Sequence, residues 1–274
     1  MLIEVTGFGP NPTQLRMHTY VPESLSVRPA LLVAVHNCTE SGPAFFAGPA
    51  SEFVSLAKEF GCLMIFPSAT REGTCFDVSS AGALRHDGDS DPVGIASMVT
   101  WARHRYGAGP AFALGLSSGA MMANVLIGDY PGLFTAAAAF AGVPFGGFAT
   151  DTGSWNNECA RGRLIRTGRQ WGDVVRSASP GYTGPRPRVQ LWHSTTDDIL
   201  HPRNLTEAVK QWTDVHGVEI EPALSDQPVA GWRRTRYGNS TPTPPVEAIS
   251  VESSRHNVLA PGMARYTMTF FGFS

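Results

Sequence analysis

The stretch FALGLSSGAMMANVL, residues 112–126, begins as an apolar run and continues as small and apolar residues at helical spacing. Ser117 lies between the two halves, with Gly115 and Gly119 two residues away on either side. This G-x-S-x-G pattern is typical of a strand that turns sharply into a helix and exposes the serine hydroxyl at the apex. The free N–H groups at the start of such a helix lie where an oxyanion would form. A glycine-rich turn would explain the five residues alone, but the strand before and the helix after favour a nucleophile. Ser117 is preferred to Ser118 because only Ser117 lies midway between the two glycines.

The rest of the chain alternates between strand-like and helix-like segments. Apolar, β-branched or aromatic runs bounded by turn residues predict strands at LRMHTYVP, ALLVAVH, CLMIFP, AFALGL, LFTAAAAF and RVQLWHS. Between them, helices are predicted over SEFVSLAKEFG, DPVGIASMVTWARHRYG and RNLTEAVKQWTDVHG, with Asp91 as the N-cap of the second. This alternation predicts an α/β fold with a mostly parallel sheet and helices on both faces. In such sheets functional residues gather beyond the carboxyl ends of the strands, and Ser117 follows one of those ends.

Length and composition exclude several classes of protein. The chain has 274 residues, 42% of them hydrophobic and 16% charged, and no linker or repeat divides it, so we expect one domain over residues 1–274. Its formal net charge of -2 provides no basic field for nucleic acid. The longest apolar stretch, LFTAAAAFAGVPFGGFA, contains a proline and several glycines, so we expect no membrane span. The opening MLIEVTGFGPNP does not resemble a signal peptide, which is also true of a secreted protein without its leader.

A serine nucleophile needs a base, and the base needs an acid that orients it. In hydrolases with this kind of strand-to-helix turn, the acid and then the histidine follow the serine along the chain. Asp197 and Asp198 lie just past the predicted strand RVQLWHS, and His256 lies in a loop after the strand-like VEAISVES. His256 is the preferred base because the other downstream histidines lie inside a strand, beside the acid turn or at a helix end: His193, His201 and His216. The residues alone leave the choice between the two acids open.

An oxyanion hole needs a second N–H group, usually from the loop after an earlier strand. The turn through Asn37, Cys38 and Thr39 follows the apolar strand LLVAVH and has that form. Spacing alone does not distinguish it from an ordinary strand-to-loop turn.

We expect neither a metal nor a cofactor. The sequence contains no C-x-x-C or H-E-x-x-H motif. DGDSDP resembles the start of a calcium-binding loop, but Pro92 stands where that loop needs glycine, and the twelfth position is not glutamate.

A series of segments in one order carries a family resemblance: VAVHNCTESGPAFF, FPSATREGTCFDVSS, GLSSGAMMANVL, AGVPFG, WNNECARG, QWGDVVR, LWHSTTD and SRHN. They are similar to motifs of the acetylxylan esterases of carbohydrate esterase family 1, a group that also includes feruloyl esterases and resembles polyhydroxybutyrate depolymerases. The resemblance extends over nearly the whole chain and implies a single-domain α/β-hydrolase. By position, it implies that Ser117 is the nucleophile, Asp197 the acid and His256 the base. It also implies that the backbone N–H groups of Cys38 and Ser118 form the oxyanion hole.

The chain departs from the family pattern at three places. Residues 36–39 read HNCT where the family has H-G-C-T, and residues 193–197 read HSTTD where it has H-G-T-A-D. Gly147 replaces a cysteine of the family motif GVPFGCFA. The resemblance implies a disulfide between Cys38 and Cys75, and Gly147 would leave Cys159 unpaired. The remaining cysteine, Cys62, opens an apolar strand and is expected to be a buried thiol.

The resemblance implies a serine esterase that removes acetyl groups from acetylated xylan or a related plant polysaccharide through an acyl-enzyme intermediate. A feruloyl esterase acting on hydroxycinnamoylated arabinoxylan is the first alternative, and a non-catalytic carbohydrate-binding relative is the second. The second is disfavoured because all three triad residue types are present in order. The expected partners are acetylated or feruloylated xylan or xylo-oligosaccharides, with no nucleic acid and no membrane. The implied disulfide favours a secreted, extracellular protein.

Two tryptophans are candidates for substrate binding. Trp155 and Trp171 lie in the long segment between the predicted strand LFTAAAAF and the strand that carries the acid. We read this segment as an irregular insertion over the catalytic face, and predict that one of the two contacts the xylan chain, because aromatic faces stack on sugar rings. Anchoring of a long loop is an equally good interpretation of either residue. The other tryptophans considered lie in helical or strand patterns and are expected in the core or a pocket wall: Trp101, Trp192 and Trp212.

Overall fold

One sheet of ten strands runs through the computed structural model, which describes residues 1–150, 153–252 and 254–274. The strands in chain order are β1 (Leu2–Val5), β2 (Arg16–Tyr20), β3 (Leu31–Val35), β4 (Leu63–Ser68), β5 (Ala111–Leu116), β6 (Ala136–Phe140), β7 (Arg188–Ser194), β8 (Leu224–Val229), β9 (Trp232–Tyr237) and β10 (Val246–Val251). Their order across the sheet is β1-β2-β4-β3-β5-β6-β7-β10-β9-β8. The six central strands, which lie in the order β4-β3-β5-β6-β7-β10, pair in parallel, and the two margins are antiparallel. The predicted α/β fold with a mostly parallel central sheet is confirmed.

Helices cover both faces of this sheet. In the described part of the chain they are α1 (Gly42–Ala47), α2 (Ser51–Phe60), α3 (Asp91–Tyr106), α4 (Ser118–Asp129), α5 (Asn157–Ala160), α6 (Gly168–Ala178), α7 (Arg203–His216) and α8 (Met263–Phe271). Side chains alternate along each central strand, so that Leu31 and Val33 pack with α3 and α4, whereas Leu32 and Ala34 pack with α2 and α8. The predicted helices correspond to α2, α3 and α7. The extent of one catalytic domain over residues 1–274 stays a prediction.

The prediction that Asp91 caps α3 is wrong. The N-cap position belongs to Ser90, and Asp91 is the first helical residue. The fully buried carboxylate of Asp91 instead accepts hydrogen bonds from the Arg71 guanidinium at 2.6 Å and from the backbone N–H of Asp77 at 2.7 Å. Asp91 therefore ties the segment that follows β4 to the start of α3.

The parallel strands determine where the predicted site residues meet. The loops after β3, β5, β7 and β10 all leave the sheet at the same edge, since these strands run in one direction. The candidate residues on these four loops are Cys38, Ser117, Asp197 and His256.

Candidate active site

Ser117 occupies a strained turn between β5 and α4. Its backbone has φ 55° and ψ -116°, a conformation that a residue with a side chain adopts only when its surroundings impose it. The two flanking glycines impose it by close packing. A Cβ atom on Gly115 would lie 2.2 Å from the carbonyl oxygen of Gly119, and one on Gly119 would lie 2.1 Å from that of Val35. The start of α4 thus lies directly against the end of β3, as expected for an exposed nucleophile.

The side chains of Ser117, His256 and Asp197 form a continuous hydrogen-bonded chain. The Oγ atom of Ser117 lies 2.7 Å from Nε2 of His256. On the other side of the ring, Nδ1 of His256 lies 2.8 Å from Oδ2 and 3.0 Å from Oδ1 of Asp197. Because an ionised carboxylate can only accept, the ring proton lies on Nδ1, and Nε2 is free to accept the serine proton. The structure therefore brings the three predicted residues together in the arrangement of a serine hydrolase.

Asp197 and Asp198 have different surroundings. The Asp197 side chain is fully buried, and its Oδ1 accepts hydrogen bonds from the backbone N–H groups of Ile199 and Leu200 at 2.9 and 2.8 Å. Burial raises the pKa of Asp197, but the hydrogen bonds from two histidines and these two amides outweigh burial and bring its pKa well below the ordinary range. Asp197 is therefore ionised at neutral pH. Asp198 points to solvent, 3.7 Å from Arg255.

A second histidine that sequence reasoning assigned to the strand interior also contacts the acid. Nε2 of His193 lies 3.2 Å from Oδ2 of Asp197 and 2.8 Å from the carbonyl oxygen of Leu200. The sequence signal that could have predicted this contact is the spacing of His193 and Asp197, four residues apart at the end of β7. The two histidines left aside bond elsewhere: His201 accepts from the backbone of Arg203, and His216 contacts the carbonyl of Pro187.

The turn after β3 is fastened to the start of α4. The disulfide implied between Cys38 and Cys75 is present, and the next residue, Phe76, donates its backbone N–H to Oγ of Ser118 at 3.0 Å. The backbone N–H of Thr39 donates to the carbonyl of Gly73 at 2.8 Å. The two predicted oxyanion donors, Cys38 and Ser118, therefore belong to segments that the chain holds side by side.

The other two cysteines are buried free thiols, as expected. Burial raises the pKa of Cys62 and of Cys159 to about 12. A Cβ atom on Gly147 would lie 2.8 Å from the sulfur of Cys159, so the position from which the family cysteine is missing does face this thiol.

The assignment of Trp171 to the substrate is wrong. Trp171 belongs to helix α6, not to an irregular insertion, and its side chain is fully buried, with Nε1 donating to Glu207 at 2.8 Å. A side chain that solvent cannot reach cannot contact a polymer. Trp155 is 50% exposed and packs edge-on against Phe148, with the ring centroids 5.1 Å apart.

Across residues 1–150, 153–252 and 254–274, no three His, Cys, Asp or Glu side chains are grouped so as to hold a metal ion. In the same ranges, no helix has the length and apolar character needed to cross a bilayer.

Comparison with known proteins decides the family. The family model described as "Esterase PHB depolymerase" matches residues 15–163. This chain belongs to that esterase family. Probable acetylxylan esterase A of Aspergillus fumigatus is 40% identical to the esterase over 100% of this chain and 73% of its own length, and acetylxylan esterase A of Aspergillus oryzae is 39% identical over 100% and 89%. The predicted resemblance to acetylxylan esterases is confirmed.

A solved structure supports the same conclusion. The acetyl xylan esterase from Aspergillus awamori superposes on the esterase with a TM-score of 0.93 and 37% sequence identity, covering 100% of both chains. The α/β-hydrolase fold and the esterase class are therefore established. Neither alternative, a feruloyl esterase or a non-catalytic carbohydrate-binding protein, is favoured by these relatives.

Proposed function

We propose that this esterase removes acetyl groups from acetylated xylan or xylo-oligosaccharides through a covalent acetyl-enzyme. The observation that carries the proposal is the chain of contacts from Ser117 through His256 to Asp197, at 2.7 and 2.8 Å, on the strained turn at the start of α4. Relatives 37–40% identical to this chain are named acetylxylan esterases, which supports the acetylated polysaccharide as substrate.

In the acylation half of the reaction, His256 removes the hydroxyl proton as Ser117 Oγ attacks the acetyl carbonyl carbon. The carbonyl π electrons move to oxygen, and the backbone N–H groups of Cys38 and Ser118 stabilise the resulting oxyanion. The tetrahedral intermediate collapses by breaking its bond to the sugar oxygen. His256 returns its proton to that oxygen, so the sugar leaves as an alcohol and the acetyl group stays on Ser117.

In the deacylation half, water replaces the sugar. His256 accepts a proton from water as the water oxygen attacks the acetyl-serine, and the same two N–H groups stabilise the second oxyanion. Breakage of the bond to Ser117 releases acetic acid, and His256 returns its proton to the serine. Asp197 stays ionised throughout, holding the His256 ring and stabilising its protonated form.

The disulfide supports an extracellular site of action. Disulfides persist in oxidising compartments and are rare in the cytosol. The Cys38–Cys75 bond lies within the proposed oxyanion loop, so its formation and the geometry of the site are linked. We propose that the esterase works outside the cell, where its polymeric substrate is found.

The proposal is tested by comparing two variants on a chromogenic acetyl ester and by comparing two further substrates with the wild type. We expect Ser117→Ala to lose at least about three orders of magnitude in kcat on a chromogenic acetyl ester, with an unchanged melting temperature, because the nucleophile is removed without loss of packing. Ser55→Ala is the matched control, because it removes the hydroxyl of an exposed serine on α2 and leaves the site intact. Acetate release from acetylated xylan should exceed ferulate release from methyl ferulate by the wild type. More than a tenth of the activity in Ser117→Ala, or faster turnover of methyl ferulate, would contradict the proposal.

A further inference from the structure

His193 lies at the carboxyl end of β7, behind the proposed catalytic acid. It is 2% exposed, and its Nε2 atom lies 2.8 Å from the Leu200 carbonyl oxygen and 3.2 Å from Oδ2 of Asp197. A backbone carbonyl can only accept a hydrogen bond, so Nε2 of His193 carries a proton. This N–H donates to the Leu200 carbonyl, and its positive end also lies close enough to Oδ2 of Asp197 to attract that carboxylate oxygen.

The two oxygens of Asp197 are held by different groups. Oδ1 accepts from the backbone N–H groups of Ile199 and Leu200, which belong to its own loop. Oδ2 is the oxygen closer to His256, at 2.8 Å, and the other side-chain donor near it is His193. The described groups that titrate in contact with Asp197 are thus two histidines, whereas the Asp198–Arg255 pair lies at the exposed surface.

We propose that His193 is a positioning residue for the esterase reaction, which directs Oδ2 of Asp197 toward His256 and withdraws part of its negative charge. This inference rests on the proposed function of the Ser117, His256 and Asp197 side chains. His193 does not touch substrate. It acts through Asp197, and a donor on the same oxygen limits how strongly the acid stabilises protonated His256.

Two measurable effects follow from loss of the donor. The carboxylate loses one of the groups that fix it, so kcat falls by about tenfold or more while KM changes little, because buried partners are left unpaired. Asp197 also becomes a stronger acceptor, so protonated His256 is stabilised. The acidic limb of the kcat/KM profile then moves to higher pH.

The test compares His193→Phe, which keeps a ring but has no donor, with His193→Gln, whose amide nitrogen can take the place of Nε2. We expect His193→Phe to show both effects on a chromogenic acetyl ester, and His193→Gln to recover the activity and the wild-type limb. His193→Asn has an amide too short to reach Asp197. It therefore provides a second variant without a donor to Asp197 if the first does not fold. His216→Phe is the matched control, because it loses a ring contact to a backbone carbonyl far from the acid.

A double-mutant cycle with Asp197→Asn separates the possible failures. If Asp197→Asn itself remains active, the proposed triad is wrong. If Asp197→Asn is inactive but the folded donor-free variants keep wild-type kcat, or their acidic limb is unchanged or moves to lower pH, the role of His193 is refuted. In support of the role, adding His193→Phe to Asp197→Asn should cause little further loss, since both act through one carboxylate. A full additional loss in the double variant would also refute it.

Discussion

Asp197 and Asp198 show how one step along the chain separates a buried acid that contacts His256 from an acid at the surface. The Asp197 carboxylate is enclosed by donors and contacts His256, whereas the Asp198 side chain is 52% exposed beside Arg255. Exposed ion pairs such as the one between Asp198 and Arg255 contribute little to stability.

We therefore expect Asp197→Asn to lower kcat by about three to four orders of magnitude, since the amide no longer stabilises the correct form of His256. Asp198→Asn is its matched control, removing the same charge one residue away, and should change kcat by less than about twofold. Steady-state kinetics on a chromogenic acetyl ester distinguish them. The reverse order of effects would transfer the role of the acid to Asp198.

Asp129 is a buried acid of another kind, at the last residue of α4. Both of its carboxylate oxygens are buried without a hydrogen-bond partner among the described residues, and burial raises its pKa from 3.8 to about 9. The folded protein keeps a proton that the unfolded chain releases between these two pH values. The unfolded state therefore binds fewer protons, and the contribution of Asp129 to stability falls as pH rises from about 4 to about 9.

Asp129→Asn should consequently be more stable than the wild type, by a margin that grows on the order of 1 kcal/mol per pH unit between pH 5 and pH 8. Urea unfolding at several pH values measures this margin. Asp89→Asn, which removes an exposed acid, provides the control and should show no such growth. A constant margin, or a variant less stable throughout the range, would show that Asp129 is not held protonated in the folded state.

At the scale of single elements, the sequence predicted the buried strands and missed the marginal ones. Strands β3, β5 and β6 are continuous apolar runs because both their faces are covered. Strands β8 and β9, LSDQPV and WRRTRY, have no such run. A charged side chain of β9 forms an ion pair with the neighbouring strand, because Arg236 lies 2.6 Å from the buried Glu247 of β10. β8 and β9 pair with each other as a hairpin and β9 pairs with β10, so hydrogen bonding to neighbouring strands, and not an apolar run, makes them strands.

Helix α6 was not predicted from the sequence, although the sequence contains two features typical of a helix. Thr167 and Gln170 form a capping box, in which each side chain accepts from the backbone of the other. The apolar residues that follow recur at helical spacing, which places Trp171 on the buried face. At the active site, by contrast, the serine turn and the order of acid and base were local enough to predict. The choice of Asp197 over Asp198 depended on the family motif, and the contact of His193 with it depended on how β7 enters its loop.

The missing family cysteine at residue 147 gives a prediction about α5. The Cβ position on Gly147 lies 2.8 Å from the sulfur of Cys159, close to the separation of about 3 Å that follows from a disulfide bond length of about 2.05 Å. We expect Gly147→Cys to form a disulfide with Cys159 and to stabilise the fold by up to about 2–4 kcal/mol, because the cross-link restricts the conformations of the unfolded chain. The same Cβ would lie 2.9 Å from the Pro144 carbonyl, and the strain of that contact reduces the gain.

Thiol titration of the denatured, unreduced protein checks the bond directly. The wild type should show the thiols of Cys62 and Cys159, and the variant that of Cys62 alone. Gly147→Ser is the matched control, because it fills similar space without a thiol and should only destabilise. Three reactive thiols in Gly147→Cys would mean that the bond does not form.

At the scale of the whole molecule, the proposed substrate is a polymer that extends beyond the Ser117, His256 and Asp197 side chains. Part of it must therefore lie on the surrounding protein surface. Trp155 is 50% exposed, in the segment between β6 and β7. Asn156 fastens this segment by donating to the Ala149 carbonyl at 3.3 Å, and the backbone N–H of Thr150 donates to the Ser79 carbonyl at 3.4 Å. Ser79 follows closely after Phe76, which contacts Ser118. These contacts connect the Trp155 segment to the side of the molecule that carries the active site.

We therefore predict that Trp155 contacts the xylan chain and that Trp155→Ala raises KM for acetylated xylan by about two- to tenfold, the loss expected for one aromatic contact. A small chromogenic acetyl ester occupies only the space beside Ser117, so its kcat and KM should be unchanged. Ile220→Ala, at an equally exposed apolar side chain in the α7–β8 connection, is the control and should alter neither substrate. Equal losses on both substrates would instead show that Trp155 anchors its segment through Phe148, and that the polymer binds elsewhere.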